Sequence, residues 1–231
     1  MNLAIVGYGK MGRLIEQLAP EYDFTVQLRL DVNNNANYEG LTRQNFQAID
    51  VAVEFSTPSA AIENIERLAR LGVNAVIGTT GWFREMARAR QAVETAGTGL
   101  VWSANFSVGV QIFSQIVAEA ARLMARQPEY GAWAWEIHHA AKKDAPSGTL
   151  LALVERMKQS GYDKRVDTSS SRAGSVPGTH EIGFDAAADT ITIRHTARSR
   201  EGFARGALRA ARWLAGKKGF FDFREVVSQL D

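Results

Sequence analysis

The chain has 231 residues, of which 45% are hydrophobic and 23% charged, with a net charge of +2. This is a globular composition with room for one large or two small domains. The charges form no long block of one sign, which argues against nucleic-acid binding. No apolar run approaches the roughly 20 residues that span a bilayer.

The absence of cysteine excludes disulfides, thiolate nucleophiles and cysteine-ligated metals, and it fits a reducing compartment. The N-terminus runs directly into an apolar strand and lacks the features of a signal peptide. We therefore expect a cytoplasmic protein without a membrane partner.

The first segment of the chain predicts a nucleotide-binding unit. A strand at Leu3–Val6 is followed by G-Y-G-K-M-G, a helical pattern and a strand at Phe24–Leu30 that ends in Asp31. This order is typical of a dinucleotide fold, in which glycines admit the pyrophosphate and an acid accepts from the adenosine ribose. A tight turn without a ligand is the alternative. The predicted cofactor residues here are Gly7, Tyr8, Gly9, Lys10, Met11, Gly12 and Asp31.

The same segment bears on the choice of cofactor. A carboxylate at Asp31 repels a 2′-phosphate, and neither Val32 nor Asn33 offers an arginine to bind one. This pattern favours NADH. Lys10 lies within the glycine loop and could neutralise a phosphate, so NADPH stays open.

Three further apolar strands alternate with helices, at Asp50–Phe55, Asn74–Ile77 and Gly99–Trp102. This alternation predicts an α/β fold with a Rossmann-like, doubly wound parallel sheet. Ligands of such sheets lie outside the carboxyl ends of the strands. We therefore add the following strand-end residues to the cofactor site, although each alone could be a helix cap or turn: Gly78, Thr79, Thr80, Ser103, Ala104, Asn105 and Phe106.

The second half of the chain predicts a smaller α+β domain. A long helix at Val108–Arg126 precedes a strand at Ala132–Ile137, and alternating patterns at Glu181–Phe184 and Thr190–His195 suggest a mixed or antiparallel sheet. Residues 163–179 are polar and without periodicity. A loop of that length is usually a lid or a disordered segment.

Between these elements, Glu136–Thr149 reads E-I-H-H-A-A-K-K-D-A-P-S-G-T and holds two of the four histidines. Lys142 can deliver a proton or hold a carboxylate, and a neighbouring cation would lower its pKa toward a useful range. His138 and His139 can donate to anionic oxygens or act as acids, and in a strand they would point to opposite faces.

The end of this stretch predicts an anion pocket. Ser147, Gly148 and Thr149 open a helix after a proline, and free N–H groups at a helix start bind carboxylates. Asp144 is expected to orient the turn and Lys143 to be solvated.

Two histidines elsewhere, His180 and His195, are expected to satisfy backbone groups or to line a cleft between the domains. A metal held by Glu136, His138 and His139 is an alternative for the central stretch. Adjacent histidines rarely reach one ion from a strand, so we expect no metal.

The stretch resembles the signature of the dihydrodipicolinate reductases, the 4-hydroxy-tetrahydrodipicolinate reductases of bacterial and plant lysine biosynthesis. The run H-H-x-x-K-x-D-A-P-S-G-T is highly specific to that family, and the likeness covers nearly the whole chain. The other similar segments are Val6–Arg13, Val76–Gly81, Ala104–Val110 and Phe203–Ala211.

The resemblance implies nicotinamide-dependent reduction of 4-hydroxy-tetrahydrodipicolinate to tetrahydrodipicolinate, in lysine and diaminopimelate biosynthesis. It implies that His138 is a proton donor or acceptor and Lys142 a proton donor. His139, Gly148 and Thr149 would hold the dicarboxylate substrate. It also implies a nucleotide domain at 1–106 and 201–231, with a substrate-binding and oligomerisation domain at 107–200 that forms homotetramers.

Two other classes of protein remain as alternatives. Another Rossmann-type dehydrogenase, acting on an amino acid or a semialdehyde, would share the first half but lack the histidine–lysine signature. A regulatory NAD-sensing protein would keep the glycine loop and lose the proton donors, which are present here.

The chain departs from the family pattern at several positions. Ala140 and Ala141 replace frequent basic residues, Gln111 replaces an asparagine, and Phe221 lacks the hydroxyl of the usual aromatic residue. None of these positions belongs to the His138–Lys142 pair, so the departures bear on affinity rather than on the reaction.

Overall fold

The structure is a computed structural model that describes residues 1–230 and divides into two compact units. The first unit comprises Met1–Val108 and the segment from Glu201 onward, and the second comprises Gly109–Arg200. Within the described residues, no helix combines the length and the apolar character that crossing a membrane requires.

The first unit is built on a six-stranded sheet with the order β10-β5-β4-β3-β1-β2. Its strands are β1 (Asn2–Val6), β2 (Thr25–Leu30), β3 (Val51–Glu54), β4 (Asn74–Ile77), β5 (Gly99–Trp102) and β10 (Gly219–Asp222). Every neighbouring pair is parallel. The prediction of a Rossmann-like parallel sheet is therefore confirmed.

Helices cover both faces of this sheet. They are α1 (Lys10–Leu18), α2 (Arg43–Phe46), α3 (Pro58–Arg70), α4 (Met86–Ala96), α7 (Glu201–Trp213) and α8 (Phe223–Val226). Alternate residues of β1 enter two different cores: Leu3 and Ile5 pack with α1 and α7, and Ala4 and Val6 pack with α3 and α4. Burial on both faces explains why these strands read as unbroken apolar runs.

The second unit contains a four-stranded sheet with the order β7-β6-β8-β9. Its strands are β6 (Gly131–His138), β7 (Val166–Arg172), β8 (Thr179–Asp185) and β9 (Thr190–Thr196), and the helices are α5 (Val108–Met124) and α6 (Gly148–Gln159). The β6–β7 pair is parallel and the other two pairs are antiparallel. The predicted smaller domain with a mixed sheet is thus confirmed.

One prediction about an irregular segment was wrong. Residues 163–179, expected to form a lid or a disordered loop, contain β7, which pairs in parallel with β6 over its full length. Its sequence V-D-T-S-S-S-R is polar because β7 is an edge strand with most side chains at least partly exposed. The segment from Gly219 supplies the sixth strand of the first unit, β10, before α8.

Candidate active site

The predicted cofactor segments of the first unit lie at one edge of its sheet. The glycine loop follows β1, Asp31 follows β2, Gly78–Thr80 follows β4 and Ser103–Phe106 follows β5. Because these strands are parallel, their carboxyl ends meet at the same edge. Backbone bonds join them there, including Gly7 N–H to the Leu30 carbonyl at 2.8 Å.

The glycine loop is packed tightly at its two ends and open in its middle. Gly7 has a φ of +97°, and a Cβ there would lie 2.3 Å from the Phe55 carbonyl oxygen. A Cβ on Gly12 would lie 2.5 Å from the carbonyl oxygen of Gly7. Gly9 precedes α1 without a side-chain cap, and a Cβ on it would meet nothing within 4 Å. The loop and the first N–H groups of α1 thus fit a pyrophosphate.

The remaining residues of this loop differ in exposure. Lys10 is exposed, whereas Tyr8 and Met11 are partly buried. The Tyr8 hydroxyl donates to Glu16, which also accepts from Arg29. Among these side chains, Lys10 is therefore the one most available to a phosphate.

Asp31 is held in place by its own loop. Its Oδ1 accepts from the Asn33 N–H at 2.8 Å, and its backbone N–H donates to Asn34 Oδ1 at 2.8 Å. The side chain is partly buried beside the glycine loop, since Leu30 accepts from the N–H groups of both Gly7 and Tyr8. A fixed carboxylate in this position suits a ribose hydroxyl.

At the other two strand ends, buried side chains shape the turns. Thr79 Oγ1 accepts from the Ser56 N–H at 2.8 Å, and Ser103 Oγ donates to the Asn105 carbonyl at 2.8 Å. Phe106 is 2% exposed and packs against Phe223 with ring centroids 4.7 Å apart. These side chains are structural, so the surface offered to a ligand comes from their backbone and from their exposed neighbours, Thr80 and Ala104.

Glu54, at the end of β3, is a buried carboxyl group that the sequence did not single out. Its Oε1 accepts from the Ser56 N–H at 3.1 Å and from Asn64 Nδ2 at 3.1 Å. Within residues 1–230, Glu54 Oε2 and Asn64 Oδ1 are both buried acceptors without a partner. Burial raises the pKa of Glu54, and hydrogen bonds from Ser56 and Thr79 oppose this only in part. Both observations favour the neutral acid.

Glu54→Gln is expected to stabilise the protein increasingly as pH rises. The pKa of Glu54 in the folded protein is raised above its usual value of 4.5. The protonated side chain therefore makes its full contribution to the free energy of unfolding below pH 4.5. That contribution is lost as pH rises through the folded pKa. Glutamine copies the neutral acid without titrating, so the Tm difference should grow by about 3 °C per pH unit in this window.

Thermal unfolding of the two proteins between about pH 5 and pH 9 measures this difference. Glu66→Gln is the matched control, since Arg88 holds the pKa of Glu66 below its usual range and its loss should not stabilise. A Tm difference for Glu54→Gln that is constant with pH would contradict a neutral Glu54.

In the second unit, β6 ends at His138 and leads into the loop that carries Lys142. His138 is 7% exposed, whereas His139 is only partly buried. The Lys142 side chain is 24% exposed, and its Nζ lies 2.8 Å from Asp144 Oδ1 and 2.9 Å from Oδ2. The nearest charged partner of Lys142 is thus a carboxylate and not the cation that the sequence analysis considered.

The loop ends at the start of α6, where Ser147 is the N-cap. Its Oγ accepts from the Leu150 N–H at 3.2 Å, and its own N–H donates to Glu136 Oε1 at 2.8 Å. The pKa of Asp144 is lowered by the hydrogen bond from Lys142 and, to a lesser degree, by the backbone N–H of Gly148. Lys142 and the start of α6 therefore both favour the charged form of Asp144. Gly148 is exposed and Thr149 partly buried.

The structure adds two polar side chains, His180 and Arg172, that the sequence analysis did not assign to this site. His180 lies opposite Glu136 in the β6–β8 ladder, with its Nε2 3.4 Å from Glu136 Oε2. Burial, and then the neighbouring His138, lower the pKa of His180 to about 4. Arg172 Nη2 lies 3.1 Å from Glu136 Oε1.

Glu136, His138 and His180 have ligand atoms within 4.8 Å of one another, a spacing that a metal ion could use. The sequence had suggested Glu136, His138 and His139 as possible metal ligands, and the structure has His180 in place of His139. Arg172 already neutralises the carboxylate, and Ser147 donates to both of its oxygens. A second cation would have to displace these donors, so we assign no metal here.

Two family models together match nearly the whole chain. The sequence profile described as "Dihydrodipicolinate reductase, N-terminus" matches residues 1–106, and the corresponding C-terminus profile matches residues 109–227. The chain belongs to the dihydrodipicolinate reductase family. A 4-hydroxy-tetrahydrodipicolinate reductase of Christiangramia forsetii is 35% identical over 241 residues, covering 100% of this chain and 99% of that protein.

Another member of the family, the 4-hydroxy-tetrahydrodipicolinate reductase of Methanoregula boonei, is 38% identical over 196 residues, covering 77% of this chain and 74% of its own. Among solved structures, a dipicolinate-bound dihydrodipicolinate reductase from Paenisporosarcina sp. TG-14 matches with a TM-score of 0.80 at 19% identity, covering 98% and 99% of the two chains. An aspartate dehydrogenase from Thermotoga maritima reaches a TM-score of 0.51 at 14% identity over 94% and 97%. At these sequence identities, the two matches show that the fold is shared.

Proposed function

We propose that this chain reduces 4-hydroxy-tetrahydrodipicolinate to tetrahydrodipicolinate with a nicotinamide cofactor, in lysine and diaminopimelate biosynthesis. The observation that carries the proposal is the contact of Lys142 with the Asp144 carboxylate, in the loop that joins the buried His138 to the start of α6. This is the stretch with the family signature, and the family likeness extends over the full chain. The alternative of an amino-acid or semialdehyde dehydrogenase is not favoured.

The first unit supplies the groups that would hold the cofactor. Bound NADH or NADPH would supply a hydride. The open backbone at Gly9 and the first N–H groups of α1 fit the pyrophosphate, with Lys10 available beside them. Asp31 would accept from a ribose hydroxyl, and its charge favours NADH. The exposed residues after β4 and β5 would line the remainder of the site.

Conversion of the 4-hydroxy compound consumes one hydride and one proton and releases the hydroxyl group as water, and the second unit supplies the proton. We assign its delivery to Lys142, whose ammonium group is partly exposed on the loop. His138 is the auxiliary group. Its Nδ1 is buried, so the ring can exchange a proton with a ligand only at Nε2.

The same loop offers a binding site for a carboxylate. Asp144 accepts a hydrogen bond from Lys142, and the Gly148 backbone helps to lower its pKa. A substrate carboxylate at the start of α6 would be stabilised by the same two groups. Ser147 gives both its N–H and its hydroxyl to Glu136, so its contribution is to hold the helix start in place. His139 and Thr149 complete the proposed pocket. The related Paenisporosarcina protein holds dipicolinate, a flat dicarboxylate.

We assign cofactor binding to the first unit, and substrate binding and assembly to the second. Homotetramers formed through the second unit, and a cytoplasmic location, stay predictions. Size-exclusion chromatography with light scattering tests the first of these.

The direct test of the proposed activity is the oxidation of NADH and NADPH, followed by absorbance with freshly generated substrate. Turnover that depends on the substrate, with either cofactor, supports the proposal. Oxidation of neither cofactor by a folded protein would reject it. Turnover with aspartate or a semialdehyde in place of the dicarboxylate would favour the alternative class.

Asp31→Ala is expected to raise the ratio of kcat/KM for NADPH to that for NADH by about 10-fold, because it removes a charge that repels a 2′-phosphate. Steady-state kinetics with both cofactors measure this ratio. Asn33→Ala is the control, since Asn33 contacts Asp31 through its backbone N–H. An unchanged ratio for Asp31→Ala would mean that Asp31 does not contact the adenosine ribose.

A further inference from the structure

The carboxylate of Glu136 is the most heavily bonded side chain of the second unit's site, although no step of the proposed reaction uses it. Its side chain is 0% exposed at the centre of the sheet. Burying a carboxylate is unfavourable unless donors surround it. Burial alone would raise the pKa of Glu136, but hydrogen bonds, first those from Ser147, hold that pKa below its usual range. The group is therefore a buried anion.

The two oxygens of Glu136 have different partners. Oε1 accepts from the Ser147 N–H at 2.8 Å, from Ser170 Oγ at 3.0 Å and from Arg172 Nη2 at 3.1 Å. These bonds connect β6 to β7 and to the start of α6. Oε2 accepts from the Ser147 hydroxyl and faces the two histidines. Oε1 thus holds the secondary-structure elements together, and Oε2 faces the imidazole rings of His138 and His180.

The ring of His138 has one edge against Oε2. His138 Nδ1 is buried, lies 3.6 Å from Glu136 Oε2 and has no hydrogen-bond partner within the described residues. A neutral imidazole carries one N–H, and a carboxylate attracts it to the nitrogen that it faces. A proton on Nδ1 leaves the Nε2 lone pair free to take and return a second proton.

Packing keeps the ring in this orientation. A Cβ on Gly178 would lie only 2.9 Å from His138 Nε2, and the His180 ring meets the His138 ring edge-on with centroids 5.0 Å apart. The ring is therefore confined on two sides, and a rotation that took Nδ1 away from Glu136 would require movement of these neighbours.

We propose that Glu136 is a positioning residue, which holds His138 as the Nδ1–H tautomer and, through Ser147, fixes the start of α6 relative to that ring. The proposal rests on the proposed function for its catalytic consequence, whereas the tautomer itself does not. One carboxylate thereby sets the geometry of both the auxiliary proton group and the anion pocket, which lie on different elements.

Other charged and titratable groups act on the same ring. They are Arg172 on β7, His180 on β8, and Lys142 and Asp144 on the loop, while His195 on β9 acts on His180. Burial lowers the pKa of His138, Glu136 acts in the opposite direction, and Lys142 and Arg172 lower it further. Loss of the Glu136 charge should therefore lower the pKa of His138, moving its titration to more acidic pH.

The first test needs no mutation. The nitrogen-15 chemical shifts of the His138 ring, assigned with His138→Gln, distinguish Nδ1–H from Nε2–H in the wild-type protein near neutral pH. The proposal expects Nδ1–H. Finding Nε2–H as the dominant tautomer would overturn it, whether or not the protein has the proposed activity.

The second test compares Glu136→Gln with Glu136→Asp and with Glu181→Gln, a neighbouring control on β8 whose carboxylate pairs with Arg194 at 3.4 Å. For Glu136→Gln we expect kcat to fall by about 10-fold or more. The His138 titration should move to lower pH, and Kd for NADH should stay within about twofold. Glu136→Asp should recover part of the rate.

The control Glu181→Gln should retain the wild-type rate and titration. An unshifted His138 titration in folded Glu136→Gln would overturn the proposal. So would equal losses in both Glu136 variants, since the aspartate keeps the charge. If the wild-type protein reduces no substrate, the proposed function fails, and the nitrogen-15 measurement still decides the tautomer.

Discussion

Lys142→Ala is expected to lower kcat by a factor of about 10² or more, because it removes the group to which we assign proton delivery. The fold should survive. The lysine side chain is 24% exposed, and its ion pair with Asp144, which is 57% exposed, is of a kind that contributes about 1 kcal/mol or less. The Tm should therefore stay within about 4 °C of the wild-type value.

Steady-state kinetics, with Kd for NADH measured separately, test this expectation. Cofactor affinity should be unchanged, since the residues assigned to the cofactor belong to the other unit. Lys143→Ala is the matched control: an adjacent, exposed lysine whose loss should leave kcat within about twofold. Near-wild-type turnover of Lys142→Ala would remove this residue from the mechanism and leave His138 as the proton donor.

The sequence was sufficient to predict the first five strands of the first unit because their signals are local. The strand, glycine loop and helix at Asn2–Leu18 follow one another directly, and each is encoded by neighbouring residues. The rule that ligands of parallel sheets lie at the carboxyl ends then placed Asp31, Gly78–Thr80 and Ser103–Phe106 at one edge. The sequence did not reveal which of these side chains are buried in turns, as Thr79 and Phe106 are.

The second unit was harder to predict because its signals depend on distant partners. β7 is polar, and only its pairing with β6, about thirty residues earlier, makes it a strand. His180 reaches Glu136 through antiparallel register, which a single sequence does not encode. One local sign was available: Glu136 and His138 are two residues apart in a strand, a spacing that places both side chains on one face.

The other large effects are expected in the glycine loop, where two glycine-to-alanine substitutions should have different consequences. One should lower the stability of the protein, and the other should weaken cofactor binding. Gly12→Ala places a Cβ 2.5 Å from the carbonyl oxygen of Gly7, so α1 must shift away from the loop. We expect a loss of about 1–3 kcal/mol, as for overpacking, and a fall in Tm of about 4 °C or more. Differential scanning calorimetry without ligand measures this loss.

Gly9→Ala should leave the unliganded protein intact and weaken the cofactor. Gly9 has a φ of −89° and a ψ of −150°, and a Cβ there meets nothing within 4 Å. Its Tm should stay within about 2 °C of wild type. Where the backbone must approach a pyrophosphate, the added methyl group should raise Kd for NADH about 10-fold. Unchanged affinity in a stable Gly9→Ala protein would mean that the pyrophosphate does not lie on this loop, and the proposed cofactor site would have to move from α1.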